Sequence, residues 1–316
     1  MITIFYKDDK LIHRSSDLAM LDELGHNDIL WIDLNEPNGT EKRHVEEFLQ
    51  FPLQSRAQAE EIESSSRYSE TEEAIFANSN FLIAAPDTYN EEPVSFILAE
   101  EILITLRHSP LRSFTDIERR LIASHRMYPT GYHLLIAILE NRIDMDADMI
   151  ELLAKEVAHL SKRIGLGETV DEEILLDINQ LQENTMLIRE NIIDKQRVIS
   201  GILKSDKFPG DIYSKLNVLM RDISSLINHT DFSFERLEYM QNTVLGLINI
   251  EQNKIIKVFT VVTVFFMPPT LISSIYGMNV VLPFADLGRW SFPITLGLMV
   301  ASFLITWIYF KQRKIL

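Results

Sequence analysis

Between Val258 and Met278 the chain runs for 21 residues without an Asp, Glu, Lys, Arg or His. At about 1.5 Å of rise per residue, a helix of that length spans roughly 31 Å, enough to cross the hydrocarbon core of a bilayer. A second such run, Trp290 to Phe310, follows after eleven residues. Two spans so closely joined make a helical hairpin, with Asn279 at its turn. The 250 residues before it are polar enough to be soluble and long enough to form a domain.

Charge divides along the same line. Residues 251–316 hold Lys254, Lys257, Arg289, Lys311, Arg313 and Lys314 against Glu251 and Asp286. The chain as a whole has a net charge of −16, with 30 basic and 46 acidic residues, so the large N-terminal part is strongly acidic. Nucleic acid or an anionic lipid surface would want the opposite sign over that part, and nucleic acid is not an expected partner. An acidic body suits a protein that meets cations, although acidity often serves only solubility. There is no cysteine, hence no disulfide and no thiolate metal site. The start, Met1–Tyr6, lacks the basic region and apolar core of a signal peptide. Lys254 and Lys257 precede the first span and Lys311, Arg313 and Lys314 follow the second, so both termini are expected in the cytoplasm and Asn279 outside.

Residues 1–135 read as a cytosolic domain mixing strands and helices. Ile2–Tyr6 alternates and turns at Asp8-Asp9. Ile29–Leu34 is an apolar strand stopped by Asn35–Gly39, and Thr40 opens a helix carrying Val45, Phe48 and Leu49. Ala74–Ala85 and Val94–Arg107 are further strands joined by a turn at 86–90, and helical spacing begins at Phe114. The expected fold class is α+β of α/β/α type, a sheet covered by helices. Residues 136–206 carry apolar side chains at intervals of three and four, broken at Gly165-Leu166-Gly167, as in an antiparallel helical hairpin. Lys207–Gly210 is a stop signal, and Asp211 can cap the next helix. No clear break follows, although Asn228–Asp231 is the weakest point. The spacing predicts one stalk helix over 211–278 that becomes the first span at about 258–278. An external loop at 279–289, a second span at 290–310 and a basic tail at 311–316 complete the chain.

Two spans cannot enclose a water-filled path, so a transporter built on this hairpin must be a homo-oligomer. Asn253, Ile256, Phe259 or Thr260, Thr263, Met267, Thr270 and Ser274 fall on one stripe of the first span, the seam expected where like helices meet around an axis. Hydroxyls in a membrane segment are better placed toward a cavity than toward lipid. The bland alternative is that they bond to their own helix carbonyls. Pro268-Pro269 removes backbone donors and tends to kink a helix, which favours a lined cavity over a plain anchor. At the outer end, Asn279 offers oxygen acceptors and amide donors without fixed charge. A ring of such groups can hold a hydrated magnesium ion through its waters, and Gly277 lets the backbone turn beneath it. Gly-Met-Asn also suits an ordinary helix C-terminus.

Tyr276-Gly277-Met278-Asn279, between two terminal spans and ahead of a Lys/Arg tail, resembles the signature of the CorA magnesium transporter family. So do Ile250–Lys257, Met267–Leu271, Tyr309–Lys311, Trp31–Leu34 and Glu60–Tyr68, which extend the resemblance over essentially the whole chain. The resemblance implies a homopentameric funnel in the bacterial inner membrane, carrying Mg²⁺ inward with Co²⁺ and Ni²⁺ as further substrates and no cofactor. It implies a selectivity filter of Gly277, Met278 and Asn279 and polar rings at Thr270 and Asn253. Ile256 and Phe259 take the hydrophobic gate. It also implies closure by intracellular Mg²⁺ bound between subunits, for which Asp87 and Asp222 are the candidate metal ligands here. Many members of that family carry an acidic loop with Met-Pro-Glu-Leu after the Asn; this chain has Val280–Leu287, with Asp286 near the usual glutamate.

Asp144, Asp146 and Asp148 lack the glycine and terminal glutamate of a calcium loop and read as a solvated face, as do Glu60, Glu61 and Glu63. Two other functions compete: a zinc-transporting branch of the same superfamily, against which Met278 stands, and a membrane-anchored scaffold without transport. No phosphate-binding loop or His-Glu-x-x-His supports an enzyme.

Overall fold

The computed structural model describes residues 1–8, 11–59, 67–165, 172–278 and 285–313. The chain divides into two units, Met1–Gln241 and Asn242–Leu316.

The first unit holds a sheet of β1 (Ile2–Asp8), β2 (Leu11–Ser15), β3 (Ile29–Asn35), β4 (Tyr68–Glu70), β5 (Ile75–Ala84), β6 (Tyr89–Ala99) and β7 (Ile102–Arg107). Their spatial order is β2-β1-β3-β7-β6-β5-β4; β3 and β7 run parallel and the other pairs antiparallel. Alternation sorts the central strands into two faces. Ile2 and Ile4, Ile32 and Leu34, and Ile102, Ile104 and Leu106 gather with Val45 and Leu49 of α1 (Gly39–Leu49). The other face presents Phe5 stacked on Trp31 at 4.8 Å, and Phe81 and Phe96 around Phe114 of α2 (Arg112–Ala123). On that face also lie α3 (Gly131–Gly165) and α4 (Glu172–Lys204). Coverage on both faces explains why β3 and β7 read as nearly continuous apolar runs. The sheet layered between helices is the fold class expected.

Local chemistry accounts for the joins. Asn38 caps α1: its Oδ1 accepts from the N–H groups of Thr40 and Glu41 at 2.9 and 2.8 Å, while Glu41 accepts from Asn38 N–H at 2.9 Å. Val94–Arg107 proves to be the end of β6 and the whole of β7, joined by a tight hairpin in which Glu100 and Glu101 have φ of 49° and 69°. That left-handed pair matches strand twist, a place where glycine or asparagine is usual, so the turn carried no compositional mark. Gly131 begins α3 hard against this hairpin; a Cβ there would lie 2.4 Å from Leu103 N. Gly201 of α4 does the same for the ring of Tyr68, also at 2.4 Å.

From Ile212 to Tyr276 runs α5, 65 residues through both Pro268 and Pro269 and without a break at Asn228–Asp231. Its first part is tied to α3 and α4 by polar bonds, Lys215 to Glu140 at 2.6 Å and Arg189 to Asp231 at 2.5 Å. In the second unit, α6 (Ser291–Gln312) follows a short 3₁₀ segment at Ala285–Trp290. The ring of Phe265 on α5 packs 5.3 Å from Phe303 and 5.6 Å from Phe310 of α6. Both helices are long and apolar enough to cross a membrane.

Candidate ion pathway and cation sites

Within the second unit, the face of α5 covered by α6 can be compared with the polar stripe. Phe265 is the buried residue of the span, and Val261, Val264, Pro268 and Ile272 beside it are partly covered. At about 100° of rotation per residue, Ile256 and Ser274 lie roughly 180° from Phe265, with Thr263, Met267 and Thr270 roughly 140–160° away. Phe259 and Asn253 lie about 120° away by the same measure. All seven are exposed. The stripe thus lies on the side of the span left uncovered by its own partner helix.

The three threonine hydroxyls on this span bond to their own helix. Thr260 donates to Ile256 O at 2.7 Å, Thr263 to Phe259 O at 2.8 Å and Thr270 to Phe266 O at 2.7 Å. Such a bond uses the hydroxyl proton and leaves the oxygen's lone pairs free, so each exposed Thr on the stripe is an acceptor. Internal bonding and a wet cavity are therefore compatible.

At the outer end, α5 stops at Tyr276, and Gly277 N–H is shared between Ser273 O at 2.9 Å and Ser274 O at 3.2 Å. Met278 N–H bonds to Ile275 O at 3.2 Å and its side chain is exposed. Gly277 does not adopt the left-handed backbone that favours glycine, and a Cβ there would only touch Ser273 O at 3.4 Å. Gly277 thus closes the last helical turn in an ordinary backbone conformation, and the turn expected beneath Asn279 falls outside the described residues. Asn279 and residues 280–284 lie outside the described residues, as do Glu60, Glu61 and Glu63.

The two candidate regulatory aspartates sit on different elements of the first unit. Asp87 is exposed in the β5–β6 turn, with its backbone oxygen accepting from Asn184 Nδ2 of α4 at 3.1 Å. It borders a cleft of about 560 Å³ that Glu156, His159, Arg163 and Asp177 also line. Asp222 is exposed on α5 and acts on Asp144 of α3. The carboxyl of Asp144 is pushed above the usual range by partial burial, then by the negative charges of Glu140, Asp148 and Asp222, with Arg120 opposing. Among the described residues no three His, Asp or Glu side chains of one chain group as a metal site.

Asp146 corrects the reading of residues 144–148 as one solvated face. It is buried, accepts a hydrogen bond from Arg142 Nε at 2.9 Å, and forms ion pairs with Arg142 Nη2 at 2.6 Å and Lys195 Nζ at 3.0 Å. Lys195 is fully buried and also reaches Asn80 O at 3.2 Å and the side-chain oxygen of Asn191. The helical period places Asp146 one position off the exposed line, which a count of acids alone does not register.

Sheet-and-helix body, long helix and terminal hairpin together define a two-span membrane protein whose first span turns a polar stripe away from its own second span. The chain matches the family of the CorA-like Mg²⁺ transporter protein over residues 26–312, and it belongs to that family. It is 38% identical over 320 residues to the magnesium transport protein CorA of Wolinella succinogenes, and 36% over 330 residues to that of Campylobacter jejuni; each match covers 99% of both chains. The fold is shared with the complete structure of the CorA magnesium transporter from Methanocaldococcus jannaschii: TM-score 0.80 at 20% identity, over 98% of this chain and 97% of that one. The family is one of transporters, and an enzymatic role falls away.

Proposed function

We propose that the protein conducts Mg²⁺ passively across the bacterial inner membrane, as a homo-oligomer whose first spans surround the path. Five copies is the number the family resemblance implies. The observation that carries this reading is the position of the Asn253–Ser274 stripe, opposite the face that α6 covers. A hydrated Mg²⁺ keeps its water shell and presents water hydrogens outward, so its path should offer acceptors. Thr263 and Thr270 are acceptors by virtue of their internal bonds, Asn253 adds a carbonyl, and Asn279 supplies the outer ring with Gly277 and Met278. Ile256 and Phe259 supply the apolar constriction. Co²⁺ and Ni²⁺, with similar hydration shells, are further substrates. The arrangement of Lys and Arg supports cytoplasmic termini.

Closure by cytosolic Mg²⁺ fits the acidic surroundings of Asp222. Carboxylates that repel across an interface are held together by a divalent ion and separate when it leaves. Asp87 and Asp222 are the proposed ligands, supplied by neighbouring chains.

The test is uptake into vesicles holding a Mg²⁺-sensitive dye, with Mg²⁺, Co²⁺ and Ni²⁺ compared side by side. Asn279→Ala is expected to abolish selective uptake. Unchanged uptake in that variant, or a protein that is monomeric in the bilayer, overturns the pathway and leaves a membrane-anchored scaffold. Asp222→Ala is expected to weaken inhibition by Mg²⁺ on the side of the large unit; unchanged inhibition removes Asp222 from the ligands.

A further inference from the structure

In the hairpin unit, positive charge collects at one end and finds almost no carboxylate there. Residues 242–316 contain two acids, Glu251 and Asp286. Glu251 is engaged by Lys254 at 3.2 Å, and Asp286 belongs to the segment joining the two spans. Among the described residues of this unit, Lys257, Lys311 and Arg313 have no acidic partner. The contact of Phe310 with Phe265 sets the end of α6 beside the start of the first span, so Lys311 and Arg313 emerge at the same end as Lys257.

The side chains of α6 there are arranged, not simply charged. Lys311 Nζ lies 5.1 Å from the ring centre of Trp307, and the guanidinium of Arg313 lies 5.9 Å from that of Tyr309. Trp and Tyr rings sit at the headgroup level of a bilayer, where an apolar body and a polar edge are both satisfied. A cation lying over such a ring is kept close to the headgroups and retains its donors for an oxygen anion.

We propose that this end of the hairpin binds the phosphodiester headgroup of anionic phospholipid. Lys311 and Arg313, braced by Trp307 and Tyr309, supply the donors, and Lys257 adds charge. The choice of a lipid rather than a soluble anion follows from the rings: they fix the cations at the depth of headgroup phosphate, directly after 21 uncharged residues. The inference rests on the membrane-spanning reading, and uses no transport step.

Trp307 is its own reporter. In a Trp290→Phe background only Trp31 and Trp307 remain, and Trp31 is completely buried in the sheet. The full-length protein is placed in phosphatidylcholine vesicles containing a minor fraction of brominated-chain phosphatidylglycerol or of brominated-chain phosphatidylcholine, and quenching of Trp307 is compared. At about fivefold per engaged cation, two cations give the anionic lipid an advantage of about 25-fold. Lys311→Gln with Arg313→Gln is expected to remove that 25-fold share and leave only what Lys257 adds, and Lys311→Arg with Arg313→Lys to keep most of it. Equal quenching by the two lipids, or a preference untouched by the double Gln variant, overturns the proposal. Loss of the preference on adding excess inorganic phosphate also overturns it, by showing a site for free anions. No ion flux is measured, so failure here leaves the transport reading standing, and failed transport leaves this one.

Discussion

Lys195 and Asp146 permit a test of how the first unit balances buried charge. The Lys195 ammonium has no solvent exposure and lies among Asp146 Oδ2 at 3.0 Å, Asn80 O at 3.2 Å and Asn191 O at 3.3 Å. Asp146 is held a second time by Arg142, at 2.9 Å from Nε and 2.6 Å from Nη2. The two cations share one carboxylate, so the two deletions are not equivalent. Asp146→Ala leaves Arg142 and Lys195 buried with Asp194, already paired with Arg67 at 2.8 Å, as their neighbouring anion, a class of change that costs about 3–5 kcal/mol. Lys195→Met preserves the Arg142–Asp146 pair and leaves the buried side-chain oxygen of Asn191 without its Lys195 donor, while Asn80 O keeps Asn191 Nδ2 at 2.8 Å; the loss costs about 1–3 kcal/mol.

At roughly 2–4 °C per kcal/mol for a unit of this size, Asp146→Ala should lower the melting transition by on the order of 10 °C, and Lys195→Met by about half that. The measurement is a thermal melt of the full-length protein in detergent, followed by near-ultraviolet circular dichroism. A pH series adds an independent check. Burial lowers the Lys195 pKa from 10.5 to about 8, with Asp146 opposing that shift and Arg142 reinforcing it. Between those values the unfolded chain holds the proton and the folded chain has released it, so this group makes stability rise with pH from about 8 to about 10.5. At about 1.4 kcal/mol for each tenfold in proton affinity, the wild type should gain on the order of 3 kcal/mol over Lys195→Met across that window. Equal damage from the two variants at neutral pH, or an unchanging difference between Lys195→Met and wild type from pH 8 to 10, would refute the argument.

Two further outcomes follow from packing and charge. Gly131→Ala should destabilise more than Gly201→Ala, since its Cβ meets the backbone nitrogen of Leu103 while that of Gly201 meets the Tyr68 side chain, both at 2.4 Å. Melting curves rank them, and a milder Gly131→Ala contradicts the close approach of α3 to the β6–β7 hairpin. Asp144→Asn should raise the melting temperature in chelator and shrink the further rise on adding Mg²⁺, because its carboxyl is pushed up by burial and by Glu140, Asp148 and Asp222. With a raised folded-state pKa, Asp144 favours the fold at low pH and loses that contribution as pH rises through the raised value, so the variant's advantage should grow from pH 4 toward neutrality. An equal Mg²⁺ response in both proteins would place the ion elsewhere.

The parts of the fold that the sequence displays are those governed by local period. The charge-free runs, the three-and-four spacing through α3 and α4, and the unbroken stretch of α5 each follow from neighbours a few residues apart. The start of α1 reads one residue late, at Thr40, and its cap is masked by the turn cluster, although Asn38 and Glu41 are three positions apart and each satisfies the other's backbone. The rest of what was hidden depends on distant partners. Glu100 and Glu101 make a left-handed turn with no glycine because the strands on either side impose it. Asp146 belongs to the core because Lys195, 49 positions later, arrives beside it.

The candidate pathway shows the same division. The polar stripe could be written down from spacing, but whether α6 covered that face or the opposite one was not a property of the stripe. It is decided by Phe265, Phe303 and Phe310, whose rings pull the second span onto the far side. Helices in lipid gain little from hiding apolar surface from one another, so close packing of such rings decides which faces meet. Within the single chain the stripe is left exposed, and exposed acceptors in a bilayer need water or another protein surface. Copies of the chain arranged with their stripes inward would provide both at once. On this argument, oligomerisation and the wet path are a single physical requirement, and a substitution that turns α6 onto the stripe should remove the two together.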